Sequence, residues 1–173
     1  MTLMNAIRNA ALAALLSALP LHAAEAEALP APSGDVILTV SGKIGVTNGQ
    51  EGAAFGLADL DQLPQTGFET TTIWTEGVQS FSGVRLSDML AHVGAEAGSL
   101  LMTALNDYQV EVEAGDPLLK DALLATRQNG APMSIRDHGP IWLVFPYDAD
   151  TNLRSEIVYS KSIWQLTRIE VRN

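Results

Sequence analysis

Residues 68–94 read FETTTIWTEGVQSFSGVRLSDMLAHVG and place a β-forming run and a short amphipathic helix in one stretch. From Phe68 to Trp74 the chain is dense in β-branched and aromatic residues, the composition of a strand. Phe68, Thr70, Thr72 and Trp74 then share one face, and Glu69, Thr71 and Ile73 the other. Between Val84 and Gly94 the period changes. Leu86, Met89, Leu90 and Val93 form a helical stripe, Ser87 or Asp88 can serve the first turn, and Gly94 ends it. A strand and a short helix so close together predict a mixed α+β domain.

Working toward the N-terminus, Leu57-Ala-Asp-Leu-Asp-Gln-Leu63 spaces leucines three apart and is stopped by Pro64, so a short helix is expected. Asn48-Gly49 is a turn signal between the expected strand Val36–Val40 and a short second strand. Toward the C-terminus, 100–105 and 108–113 flank Asn106-Asp107 as a hairpin, with Val110 and Val112 alternating against Glu111 and Glu113. Residues 121–128 fit either a strand or a helix. Asn129-Gly130-Ala-Pro132 is a turn, and Ile141-Trp-Leu-Val-Phe145 is a buried strand by its unbroken apolarity. Residues 146–152 form a loop, and the last half of 162–171 is a strand. Many short strands with few short helices make the expected fold β-rich α+β, as a single domain.

The start of the chain reads as an address. Arg8 precedes the apolar run Ala10–Leu21, which is too short to span a bilayer, and Ala24-Glu25-Ala26 is a small-x-small cleavage pattern. The expected division is a signal peptide over 1–26, a Pro-rich leader over 27–34 and one domain over 35–173. An exported, periplasmic protein follows as the expectation, with no transmembrane segment in the mature chain.

Composition narrows the chemistry. Of 173 residues, 10 are Lys or Arg and 20 are Asp or Glu, a formal charge of −10. That balance argues against nucleic acid, whose phosphates require a basic footprint. With 47% hydrophobic residues the chain can build a core. Cysteine is absent, so disulfides, thiolate metal sites and Cys nucleophiles are excluded. His92 and His138 have no partner at metal-ligand spacing, no nucleophile elbow surrounds Ser160 or Ser162, and no Gly-rich phosphate loop occurs. Arg136-Asp137-His138 reads as a charged turn. What remains is a group of aromatic and polar residues beside strand ends: Trp74, Asp107, Tyr108, Arg127, Trp142, Tyr147, Tyr159 and Trp164. Such groups build pockets for flat heterocycles. Trp142, inside an apolar run, is expected in the core.

Several segments together resemble the molybdopterin-binding domain of the sulfite-oxidase superfamily. They are Val36–Gly42, Ile73-Trp74, Phe81-Ser-Gly-Val-Arg-Leu-Ser-Asp-Met-Leu90, Ala104-Leu-Asn-Asp-Tyr108, Leu124–Pro132, Gly139–Pro146 and Trp164. The resemblance implies a single sulfite-oxidase-like domain of mixed sheets and short helices. It also implies a molybdenum-ligating Cys, and that position falls near Thr70 or Thr71. A neutral threonine hydroxyl is a poor substitute for a thiolate. The chain is more similar to small exported members that lack the Cys, among them the PruR-like periplasmic pterin-binding proteins. That likeness implies a free pterin as ligand, no redox catalysis, and a membrane cyclic-di-GMP enzyme or sensor kinase as partner. The expected pterin-binding residues are Trp74 as a stacking face, Asp107 as acceptor for the ligand's N–H edge, and Arg127 as an oxygen partner. Tyr108 and Trp164 would line the pocket. The molybdenum cofactor is not expected. The alternatives are an oxidoreductase holding molybdenum through a non-cysteine ligand set, and a ligand-free interaction module.

Overall fold

The computed structural model describes residues 28–173; the expected signal peptide lies outside them. Two sheets and three short helices make up the domain. In the first sheet the strands run in the order β2 (Ala53–Gly56), β1 (Val36–Gly42), β10 (Leu166–Val171), β5 (Ser99–Ala104) and β6 (Gln109–Glu113). β1 and β10 pair in parallel, and the other neighbours are antiparallel. The second sheet runs β3 (Gln65–Thr71), β4 (Val78–Arg85), β7 (Leu123–Gln128) and β8 (Ala131–Pro132), with β9 (Trp142–Val144) also paired to β7.

Alternation decides the first sheet. Leu38 and Val40, Leu100 and Met102, Val110 and Val112, and Ile169 and Val171 point into the main core. Glu111 and Glu113 stay exposed on the edge strand β6, where charge discourages pairing with another chain. In the second sheet β7 and β9 are buried on both faces, whereas the edge strands β3 and β8 are largely exposed. Val84, Leu124 and Leu143 face the main core, while Phe81, Leu123, Ala125, Trp142 and Val144 build a smaller cluster on the opposite side. A strand buried on both faces carries no alternation, and for that reason 121–128 was ambiguous in sequence. It is a strand.

Helix α1 (Leu57–Gln62) buries Leu60. Its Asp59 carboxylate accepts the backbone N–H of Gly56 and of Ser33, both at 2.8 Å, so the leader is tied to the helix start. Helix α2 (Leu86–His92) buries Leu86 and Met89, and Gly94 ends it at φ +62°. Two boundaries differ from the pattern in the sequence. Val84 and Arg85 belong to β4 and not to the helix. β3 stops at Thr71, so Trp74 sits in the turn between β3 and β4 and not on the strand. The Thr72 hydroxyl accepts the Trp74 N–H at 3.1 Å and pairs with the Thr75 hydroxyl at 2.8 Å, a side-chain turn that competes with the ladder.

Candidate functional site

Trp74 is held at the meeting of the two apolar clusters and packs against both. Its ring makes edge contacts with Trp142, Tyr159 and Trp164 at 5.8 Å and with Tyr147 at 6.3 Å, the geometry that aromatic quadrupoles favour. Beside it opens a cavity of about 350 Å³, within the range of small-molecule pockets. Trp74, Tyr108, Tyr159 and Trp164 supply aromatic walls; Ala104 and Ile163 add apolar surface; Asn106 and Ser162 add polar groups.

Each wall has a local cause. Asp107 adopts φ +63°, a left-handed position that Asp tolerates, and turns the β5–β6 hairpin. The Asn106 Oδ1 accepts the Tyr108 N–H at 3.2 Å, so the turn presents Asn106 and Tyr108 together. Ile163 bridges to Leu143, whose N–H donates to the Ile163 carbonyl at 2.9 Å. Gln165, at φ +53°, donates its N–H to the His138 carbonyl at 2.9 Å, and its own carbonyl accepts the Leu105 N–H at 2.8 Å. Trp164 is therefore fixed on both sides. Helix α3 (Glu156–Tyr159) carries Tyr159, and the Ser155 hydroxyl caps it by accepting the Val158 N–H.

Beneath these walls Tyr147 is buried, and its phenol hydrogen-bonds the Ser162 hydroxyl. Burial pushes the Tyr147 phenol up to about 12, so it stays protonated at any ordinary pH. His138 stacks on Trp142 at 4.4 Å and meets Trp164 edge-on at 5.5 Å. The Trp142 Nε1–H is buried without an acceptor.

Of the residues expected from sequence, the structure brings Trp74, Tyr108 and Trp164 together around this cavity. Asp107 and Arg127 lie outside its lining. Asp107 turns to solvent, 85% exposed at the side chain, and meets Arg168 at 3.2 Å. Arg127 forms a two-pronged pair with Asp61 on α1 at 2.6 and 2.8 Å. This guanidinium holds the Asp61 carboxyl below its usual value. Both of its terminal nitrogens are therefore engaged by the scaffold. The partners of both residues are more than sixty positions away in sequence, so no local signal marked them as engaged. Asn106 and Ser162 were missed for the complementary reason: each reads as an ordinary turn or loop residue until the fold sets it beside Trp74. Trp142 is in the core as expected.

Near Thr70 and Thr71 the geometry is closed. Asp148 accepts the Thr71 N–H at 2.7 Å and the Thr71 hydroxyl at 2.8 Å, and Arg154 donates to the same carboxylate. The backbone N–H of Asp148 donates to the Thr70 hydroxyl at 3.1 Å. The Thr71 and Arg154 hydrogen bonds hold the Asp148 carboxyl below its usual range.

These two sheets with their short helices define the sulfite-oxidase type of fold. The chain belongs to the oxidoreductase molybdopterin binding domain family, whose sequence model matches residues 38–152. Among solved structures it is similar to the sulfane dehydrogenase SoxCD from Paracoccus pantotrophus, with a TM-score of 0.56 and 19% identity. That match covers 78% of this chain and 37% of the dehydrogenase chain, so this chain spans little more than a third of that chain's length and the likeness concerns the fold. A comparison with curated proteins found no significant match.

The residues present do not fit a molybdenum centre of the thiolate-bound kind. The chain has no cysteine. The hydroxyls of Thr70 and Thr71 are engaged with neighbouring backbone and with Asp148. Among the described residues no three His, Asp or Glu side chains gather as a metal cluster. Among the described residues no Lys or Arg lines the cavity to meet a phosphate.

Proposed function

We propose that this protein is a receptor for a free pterin, exported to the periplasm, where it signals to a membrane cyclic-di-GMP enzyme or sensor kinase without redox catalysis. The observation that carries the reading is the cavity walled by Trp74, Tyr108, Tyr159 and Trp164, with only uncharged polar groups among them. Aromatic walls suit a flat heterocycle. The missing basic side chain disfavours a phosphorylated cofactor and leaves a neutral, phosphate-free ring as the better occupant. Membership of a molybdopterin-binding family supports the heterocycle class, and the absence of cysteine removes the thiolate that would hold molybdenum. The N-terminal pattern of Arg8, a short apolar run and Ala-x-Ala supports export. Ligand binding would act by favouring one state of the surface around the cavity mouth, and the partner would read that state.

Titration of the protein with reduced and oxidised pterins, followed by tryptophan fluorescence and calorimetry, tests the reading. Saturable quenching by a pterin is expected, because Trp74 and Trp164 both line the cavity. No saturation by either method would refute it. Fractionation of the native host, with N-terminal sequencing of the mature chain, tests the export arm.

A further inference from the structure

The Tyr147–Ser162 pair has a consequence for the ligand. Ser162 lines the cavity and is itself only 5% exposed. Its hydroxyl has one side-chain partner, the Tyr147 phenol, and that phenol has no other. Two proton arrangements are available. If Ser162 donates, the Tyr147 O–H is left in a buried site without an acceptor, which costs the desolvation of that group. If Tyr147 donates, the phenol is satisfied, and the Ser162 proton is the one left over. The phenol is also the stronger acid of the two and remains protonated, so it is the natural donor. Ser162, which lines the cavity, is then left with an O–H that has no partner among the described residues.

The second polar group behaves alike. The Asn106 Oδ1 is occupied by the Tyr108 N–H, which leaves its amide nitrogen as a donor at the rim. No carboxylate lines the cavity. Among the described residues the Ser162 hydroxyl and the Asn106 amide nitrogen therefore each hold a hydrogen without a protein partner, beside the Tyr108 and Tyr159 side chains that can donate or accept, while Asp107 faces solvent against Arg168.

We infer that the pocket takes its heterocycle with an acceptor edge inward, a ring carbonyl or unprotonated ring nitrogen against the Ser162 hydroxyl, and that Tyr147 is the positioning residue that holds this hydroxyl as a donor. The inference rests on the pterin reading and specifies which edge of the ring is read. A pterin presents a ring carbonyl where 2,4-diaminopteridine carries an amino group. The amino group gives the Ser162 O–H no good acceptor and leaves it unsatisfied, so the carbonyl compound is favoured.

The test uses calorimetric titration of the full chain with pterin and with 2,4-diaminopteridine. Wild type is expected to prefer pterin. Ser162→Ala should weaken pterin by about five- to tenfold, the worth of one hydrogen bond to a neutral partner, and bring the two ligands close to parity. Tyr147→Phe frees the Ser162 hydroxyl to rotate, so it should narrow the preference more than it weakens pterin binding. A merely structural role for Tyr147 would lower both affinities equally. Thermal melts of each variant establish that it is folded before titration. Unchanged pterin affinity in folded Ser162→Ala, with wild type binding normally, would overturn the assignment alone. Absence of saturation in wild type would overturn the pterin reading and this assignment together.

Discussion

Trp74→Ala is the obvious perturbation of the cavity, and the structure says that it will cost stability as well as binding. The ring makes edge contacts with Trp142, Tyr147, Tyr159 and Trp164, at centroid distances of 5.8 to 6.3 Å. Pairs of this kind are worth about 0.5–1.5 kcal/mol each beyond burial, so full strength would be about 2–6 kcal/mol in total. Contacts that share one cluster are not additive, and Trp74 is only half-buried. The lower end, about 2–3 kcal/mol, is therefore the expected loss. A domain of ordinary stability, about 5–15 kcal/mol, survives that and remains folded at neutral pH. In urea, with a slope of about 2 kcal/mol/M, the midpoint should fall by about 1–1.5 M without a change in slope. Trp74→Phe keeps an aromatic edge and should recover part of the shift. A midpoint change below about 0.5 M in the alanine variant would refute the reasoning, since Trp74 would then be a wall with no share in holding the domain together.

Arg127→Ala should leave pterin affinity unchanged and cost about 1 kcal/mol, because its two-pronged pair with Asp61 is partly solvent-screened. Asp61 titrates below its ordinary 3.8 in the folded state, so the pair contributes above that pH and its contribution fades as pH falls through the lowered value. The gap in melting temperature between wild type and Arg127→Ala should close in acid, and a gap undiminished there would refute the pairing. Asp148→Asn removes the charge that receives Thr71 and Arg154. It should lower the melting temperature and speed hydrogen exchange at the Thr71 amide; unchanged protection of that amide would count against the latch. Gly83→Ala should cost about 3 kcal/mol, the upper end of overpacking, because its Cβ would lie 2.1 Å from the Leu124 carbonyl oxygen on the neighbouring strand. A wild-type urea midpoint for that variant would contradict the β4–β7 register.

The first sheet was legible because one face of it is wet. Val110 and Val112 alternate with Glu111 and Glu113, and the hairpin followed directly. The middle of the second sheet, β4 and β7, was not, for two reasons. β4 carries Gly83 and a register shift against β7 between Ser82 and Gly83, so its pattern breaks where it meets the helix stripe. β7 is buried on both faces and shows no period. Site residues divided along a similar line. Aromatic character marked Trp74, Tyr108 and Trp164 as pocket material, since large aromatic surface beside loops has few other uses. Charge misled for Asp107 and Arg127, because a charged side chain in a list of residues carries no sign of a partner sixty positions away. Ser162 needed Tyr147, and their pairing exists only after β9 and the segment before β10 are in place.

β10, the last strand among the described residues, lies between β1 and β5 in the first sheet and is the partner of both. Until Val171 has left the ribosome, β1 has only β2, and the β5–β6 hairpin has nothing to join it to β1. Sequence separation between β1 and β10 spans most of the domain, and such non-local pairing slows closure. A nascent chain of this protein thus lacks the central strand of its first sheet until Val171 has been made. A tag fused directly after Val171 would load the strand on which the whole sheet waits, whereas one placed ahead of Leu29 would not.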